Sequence, residues 1–471
     1  MSAAVRLVRH VTVLSVVGWG GFEFSAVAAA RGELTHPALL TNSSNVSGTF
    51  EATLTAAPGT LEIRPGVRTH VLAYNGSSPG PTLEVIEGER VIIHFQNNLA
   101  EPSTIHWHGI HLPANQDGSP FDPVPAGGRR DYVFTIQRGT AGTYWYHPHL
   151  HHRTGHQISM GLVGAIIVRA PDDPIPKSIT EKLLVLVDNR FLPDGTIDLP
   201  DKMSMPGRID EENGREGDVF LVNGQIKPTI SIKPGEVQRW RIINASAARV
   251  FRLAIAGQTF LHVGSDGGLF ERPLEVHELV LANSERVEIL VRGGAPGSRT
   301  TLQTFPYDRY IPQTRPKDWN QTRDILTLQV TRDRAVSTTV PTTLRAIPPL
   351  DTMRAIARRT VSLSQGLINN RHMDMARVDI TSKLGTTEIW QVENLVGMDH
   401  PFHLHGFQFQ IIARNGRPEL YRSWKDAVNV PKHETVRFVV RFDDFPGKWM
   451  FHCHILNHED QGMMGILEVK R

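Results

Sequence analysis

One short pattern returns three times along this chain. Asn75-Gly76 leads into Pro81-Thr82-Leu83-Glu84-Val85-Ile86-Glu87-Gly88-Glu89 and then Val91-Ile92-Ile93-His94-Phe95-Gln96-Asn97. Asn223-Gly224 leads into Pro228-Thr229-Ile230-Ser231-Ile232-Lys233-Pro234-Gly235-Glu236 and then Trp240-Arg241-Ile242-Ile243-Asn244. Asn369-Asn370 leads into Val378-Asp379-Ile380, Leu384-Gly385 and Glu388-Ile389-Trp390-Gln391-Val392-Glu393-Asn394. The glycines Gly88, Gly235 and Gly385 stand 147 and 150 residues apart. Alternating apolar stretches predict strands, and the Asn and Gly positions predict the turns between them. Recurrence at a fixed period predicts a repeated domain, and short strands at regular spacing favour a β-sandwich.

Three units of about 150 residues also account for the length. The polar, proline-rich stretch Ala170-Pro171-Asp172-Asp173-Pro174-Ile175-Pro176 and the region from Asp333 to Pro349 are the expected boundaries. They divide the chain into domains at 45–170, 171–335 and 336–471. A net charge of +2 with 21% charged residues gives no electrostatic case for nucleic acid. At the N-terminus, Arg6, Arg9 and His10 precede an apolar run from Val11 to Phe22 and then Ala26-Val27-Ala28-Ala29-Ala30. That order predicts a signal peptide over residues 1–30 and a periplasmic or secreted protein. No other segment approaches the length needed to span a bilayer.

The chemistry lies in the histidines and the single cysteine. Phe451-His452-Cys453-His454-Ile455-Leu456-Asn457-His458-Glu459-Asp460-Gln461-Gly462-Met463 reads as the last strand. On an extended strand Cys453 faces one way while His452 and His454 face the other. Cys453, His458 and Met463 supply a thiolate, an imidazole and a weak thioether, a blue-copper set once a second His arrives. Asp399-His400-Pro401-Phe402-His403-Leu404-His405-Gly406 can deliver it. His106-Trp107-His108-Gly109, Tyr146-His147-Pro148-His149, His403-Leu404-His405 and His452-Cys453-His454 make four His-x-His pairs. At that spacing two rings point the same way, about 6–7 Å apart, which suits bridging neighbouring metal ions better than chelating one. Eight such imidazoles could hold three coppers and leave positions open for a small ligand.

These four segments, in this order, resemble the copper-binding motifs of the multicopper oxidases, the laccase and cuprous-oxidase family. Thr154-Gly155-His156-Gln157, Met160-Gly161-Leu162 and His458-Glu459-Asp460-Gln461-Gly462-Met463-Met464 most resemble the bacterial periplasmic cuprous oxidases. The resemblance implies an all-β fold of three tandem cupredoxin-like Greek-key β-sandwich domains, the middle one without copper ligands. It implies four copper ions. The type 1 ion would be held by His400, Cys453 and His458 with Met463 axial, and the type 2 ion by His106 and His403. The type 3 pair would be held by His108, His147, His149, His405, His452 and His454. The three-copper site would then lie at the interface of the first and third domains.

The implied activity couples one-electron oxidation of phenols, aromatic amines or Cu(I) to four-electron reduction of dioxygen to water, in a chain expected to be a monomer. Asp117 and Glu459 match the family's proton-relaying acids; an Asx-turn before Gly118 is the alternative for Asp117, and a plain supporting hydrogen bond for Glu459. His111, His151, His152 and His156 match no ligand position. Met203, Met205, Met373, Met375 and Met398 could guide Cu(I) or simply fill gaps. The Met-rich insertion typical of periplasmic cuprous oxidases is missing between Ile368 and His400, and Val396 stands where an acid is expected, so phenol and Cu(I) remain open. The rival readings are a copper-free structural relative, which needs degraded motifs, and a copper nitrite reductase, which needs fewer His pairs and fewer domains.

Overall fold

The computed structural model describes residues 32–309 and 319–471. The expected signal segment, residues 1–30, lies outside the described residues. The rest is all-β, three tandem cupredoxin-like sandwiches each made of two sheets. Residues 49–169 form two four-stranded sheets, residues 180–330 a six- and a five-stranded sheet, and residues 355–470 another six and five. In each unit the first strand pairs parallel with the strand that ends in the repeated Asn: Thr49–Arg64 with Arg90–Asn97, Thr180–Asn189 with Val237–Asn244, and Ala355–Ser364 with Thr386–Asn394.

Strand Arg90–Asn97 shows why the sequence folds this way. Val91, Ile93 and Phe95 are buried while Ile92, His94 and Gln96 are only partly so, the period-2 alternation of a strand with one face on the core. Each such side chain contributes about 1.5–3 kcal/mol by leaving water. Strand Val237–Asn244 is buried on both faces, because its second face packs toward the first unit. Trp240 fills the core side, while Arg239 and Arg241 on the other are held by Glu288 and Glu181.

The recurring Asn residues have two jobs. Asn75, Asn223, Asn369 and Asn370 take positive φ angles of 48°, 52°, 51° and 59°, the left-handed turn that Asn tolerates. The strand-ending Asn97, Asn244 and Asn394 staple the next loop, each donating its amide to at least two backbone carbonyls.

The stretch Phe451 to Met463 is not one strand. Strand Gly447–Cys453 ends at the cysteine, a short helix spans Leu456–Asp460, and a last strand runs Met464–Lys470. Leu456-Asn457-His458-Glu459-Asp460 lacks the aromatic and β-branched residues that suit a sheet. It closes helical bonds instead, Glu459 N–H to Ile455 O at 2.9 Å and Gln461 N–H to Asn457 O at 3.1 Å. Two further helices, Thr154–Ser159 and Met205–Asn213, pack against it. In chain order these are α1 (Thr154–Ser159), α2 (Met205–Asn213) and α3 (Leu456–Asp460). Among the described residues no helix is long and apolar enough to cross a membrane.

Candidate metal centre

Strand and helix meet at Cys453. Its Sγ lies 3.3 Å from His400 Nδ1 and 3.8 Å from His458 Nδ1, and all three side chains are buried. The helical turn of α3 is what returns His458 to the cysteine. Met463 is fully buried, and its backbone bonds to both partners, the carbonyl accepting from Cys453 N–H and the N–H donating to His458 O. Burial pushes the Cys453 thiol up to about 12. A thiolate there needs a cation beside it, which a bound metal supplies.

His452 and His454 leave the strand on the opposite face and join the other three His pairs. The paired rings lie 5.5 Å apart for His106 and His108, 6.1 Å for His147 and His149, 4.8 Å for His403 and His405, and 5.4 Å for His452 and His454. Three groups of nitrogen atoms converge tightly enough to share a metal: His106 with His108 and His147, His106 with His403 and His405, and His149 with His405 and His452. His405 Nε2 and His149 Nε2 stand 3.0 Å and 3.2 Å from His452 Nε2.

Five of the eight rings are fixed from behind. His147 Nδ1 donates to Pro148 O, His452 Nδ1 to Cys453 O, His403 Nδ1 to Asp426 O and His106 Nδ1 to Asp117 O, at 2.8 to 3.1 Å. His405 Nδ1 donates to Asp117 Oδ2 at 2.8 Å. Such outer bonds select the tautomer and leave Nε2 as the free donor atom. His108 is reversed: its Nε2 faces Asp426 Oδ1 at 3.0 Å, and its Nδ1 points at His147.

These residues fit copper. His106 Nε2, His403 Nε2 and His454 Nε2 are buried with no hydrogen-bond partner. Each such orphan costs about 1–3 kcal/mol unless a ligand occupies the space it faces. Burial holds His108, His147, His149, His403, His405 and His454 well below the ordinary imidazole value, and His452 down to about 3. Neutral imidazole is the form that binds a metal.

Asp117 touches His106 and His405 rather than closing an Asx-turn. The turn belongs to Gly118, where φ is 74° and a Cβ would lie 1.7 Å from Ile105 O. Glu459 sits 3.5 Å from His149 Nδ1 and 3.4 Å from His452 Nδ1. Burial, with Asp460 next to it, holds the Glu459 carboxyl well above the usual range. Among the described residues His111, His151, His152 and His156 join no metal-competent group. Met398 is core, whereas Met203 and Met205 are among the most exposed apolar side chains.

Two features escaped the sequence. Asp426 joins His108 and His403 in a group of its own. Nothing in its spacing from the His pairs marks it; only an acid at the mouth of the buried strand Ala427–Val430 hints at a role. The second is α2, whose C-terminal end covers the cysteine site. His458 Nε2 donates to Glu212 O at 3.0 Å, and Asn457 and Gln461 bond to Glu211. The helix is bounded by Ser204, whose hydroxyl accepts from Gly207 N–H, and by Gly214 at φ 79°.

Multicopper oxidase family models match residues 55–173, 194–299 and 342–471. The multicopper oxidase of Staphylococcus aureus is 31% identical over 453 residues, covering 94% of this chain and 93% of that protein. A Campylobacter jejuni multicopper oxidase structure, titled a metallo-oxidase, superimposes with a TM-score of 0.86 at 37% identity, covering 94% of this chain and 96% of its own. A laccase from Pediococcus acidilactici gives a TM-score of 0.83 at 31% identity, with 94% of each chain covered. Neither a copper-free relative nor a nitrite reductase is the better description. With its sandwiches, its clustered imidazoles and these likenesses, the chain belongs to the multicopper oxidase family, oxidoreductases that carry four copper ions and use dioxygen as acceptor.

Proposed function

We propose that this chain is an exported cuprous oxidase, taking electrons singly from Cu(I) beside His458 and passing them to dioxygen between the first and third sandwiches. The observation that carries the substrate is the cover over His458. The His458 ring is buried and its outer edge ends on the Glu212 carbonyl, so no free edge is left at which a phenol could dock. The covering segment instead brings Glu211 and the exposed thioethers Met203 and Met205, donors suited to a soft cation. The metallo-oxidase title of the Campylobacter jejuni relative supports the same choice.

In this reading His400, Cys453 and His458 hold the type 1 copper with Met463 axial, and His106 and His403 the type 2. His108, His147, His149, His405, His452 and His454 hold the type 3 pair. The domains are residues 45–170, 171–335 and 336–471, residues 1–30 are a signal peptide, and the mature protein is a periplasmic or secreted monomer. Bound copper supplies one-electron carriers and a seat for dioxygen. The chain supplies the wiring, because Cys453 is joined through single peptide units to His452 and His454. It also supplies protons. Asp117 accepts from His405 and lies against His106, while Glu459 is buried between His149 and His452, where burial raises its carboxyl. Either carboxyl can hand a proton inward and regain it through water.

The test compares direct Cu(I) oxidation with steady-state turnover of a phenol, with and without added Cu(II). Rapid Cu(I) oxidation, with phenol turnover slow until Cu(II) is added, is expected. Fast phenol turnover without Cu(II), alongside slow Cu(I) oxidation, would make the protein a laccase instead.

A further inference from the structure

Arg286 belongs to the middle sandwich, which contributes no His to the four pairs, yet it ends beside the imidazole cluster. Its side chain is fully buried, and its five N–H donors meet five acceptors. Nε donates to Thr143 O at 3.1 Å, on the strand that carries His147. One terminal nitrogen donates to Ser284 O at 3.2 Å and Asp426 Oδ1 at 2.8 Å, the other to Asp266 O at 3.1 Å and Asp426 Oδ2 at 2.5 Å. One planar fork therefore ties together the first, middle and third sandwiches.

The Asp426 carboxylate so clamped faces His108 Nε2 at 3.0 Å, and His108 is the ring whose Nδ1, not Nε2, turns toward its neighbours. A second observation points to the same pair. A Cβ on Gly109, the glycine that ends the His106-Trp107-His108-Gly109 motif, would lie 2.5 Å from both the Arg286 guanidinium and the Asp426 carboxylate. The motif is therefore shaped around the ion pair as well as around the metal. Asp266, which accepts from the Arg286 backbone N–H and from Lys425, fixes both ends of the clamp.

We propose that Arg286 is a positioning residue for the three-copper site: its guanidinium sets the Asp426 carboxylate, which holds His108 in the reversed orientation that presents Nδ1. The middle sandwich is thereby part of the metal site without supplying a ligand. This rests on the assignment of His108 as a type 3 ligand. Lysine cannot replace the fork, because a single ammonium reaches one carboxylate oxygen well and leaves the Thr143 and Asp266 carbonyls short of donors.

The test uses the full-length, copper-loaded protein with Arg286→Lys and Arg286→Met, beside His108→Asn. Copper per chain, the type 1 and type 2 electron paramagnetic resonance signals, and copper retention against a chelator are measured for each. Arg286→Lys is expected to keep the blue type 1 signal while the remaining coppers are held about 10–100-fold more weakly, with Arg286→Met affected further. Full retention of all coppers in Arg286→Lys overturns the proposal. So does parallel loss of blue and non-blue copper, which marks a general packing role. His108→Asn separates the two claims: if it keeps the full copper complement, the ligand assignment itself fails. If it loses non-blue copper while Arg286→Lys does not, only the clamp fails.

Discussion

His458 Nε2 donates to the carbonyl oxygen of Glu212 at 3.0 Å, so a ring from the third sandwich ends on the backbone of a helix from the middle one. That contact closes the edge through which a bulky reductant would reach the cysteine site. The helix depends on its N-cap, the Ser204 hydroxyl accepting from Gly207 N–H at 3.1 Å. Ser204→Ala removes about 1 kcal/mol of helix stability. Steady-state phenol turnover is expected to rise severalfold in this variant while the blue absorption stays unchanged. Identical phenol turnover in variant and parent would show that α2 is no barrier.

Asp117 offers a way to separate proton delivery from electron delivery. Its Oδ2 accepts from His405 Nδ1 at 2.8 Å, and among the described residues it makes no contact with Cys453, His400 or His458. Asp117→Asn keeps the shape and loses the exchangeable acid. In stopped-flow experiments reduction by substrate is expected to keep its rate, whereas reoxidation by dioxygen slows by about 100-fold or more and depends more steeply on pH. Slow reduction with normal reoxidation would assign Asp117 to the reductive half of the cycle.

The fold was legible because its repeat is local. Alternation in Val91 to Phe95 and the Asn and Gly turns are written in consecutive residues, and so are the four His-x-His pairs. What the sequence hid depends on distance along the chain. Glu212 meets His458 across 246 residues, and Arg286 meets Asp426 across 140. No periodicity links such partners. The helical turn at Leu456–Asp460 was hidden for another reason: it lies between the strands Gly447–Cys453 and Met464–Lys470, and five helical residues carry too little pattern to announce a helix.

Glu181 makes the join between the first two sandwiches sensitive to acid. Burial alone would raise its carboxyl, but Arg241, Arg239 and Arg169 outweigh that and bring it down to about 2. A depressed value in the folded state stabilises above the unfolded carboxylate range, near about 4.3. That contribution is lost as pH falls through the folded value, a window from roughly pH 5 to pH 2. At neutral pH it is worth on the order of 3 kcal/mol. Denaturant unfolding should find Glu181→Gln clearly less stable than the parent at neutral pH, with the gap closing toward about pH 2. A gap independent of pH would mean that packing, not charge, accounts for the loss.

Cys453 is the only thiol in the chain, and it stands where the cysteine site adjoins the imidazole cluster. The decisive measurement is the visible absorption and copper content of the copper-loaded protein beside Cys453→Ser. The parent should show the intense blue of a copper–thiolate site and turn over with dioxygen. Cys453→Ser should stay folded, keep its non-blue copper, lose the blue band entirely and stop turning over. A Cys453→Ser protein that remained blue, or that still reduced dioxygen at the parent's rate, would contradict the account.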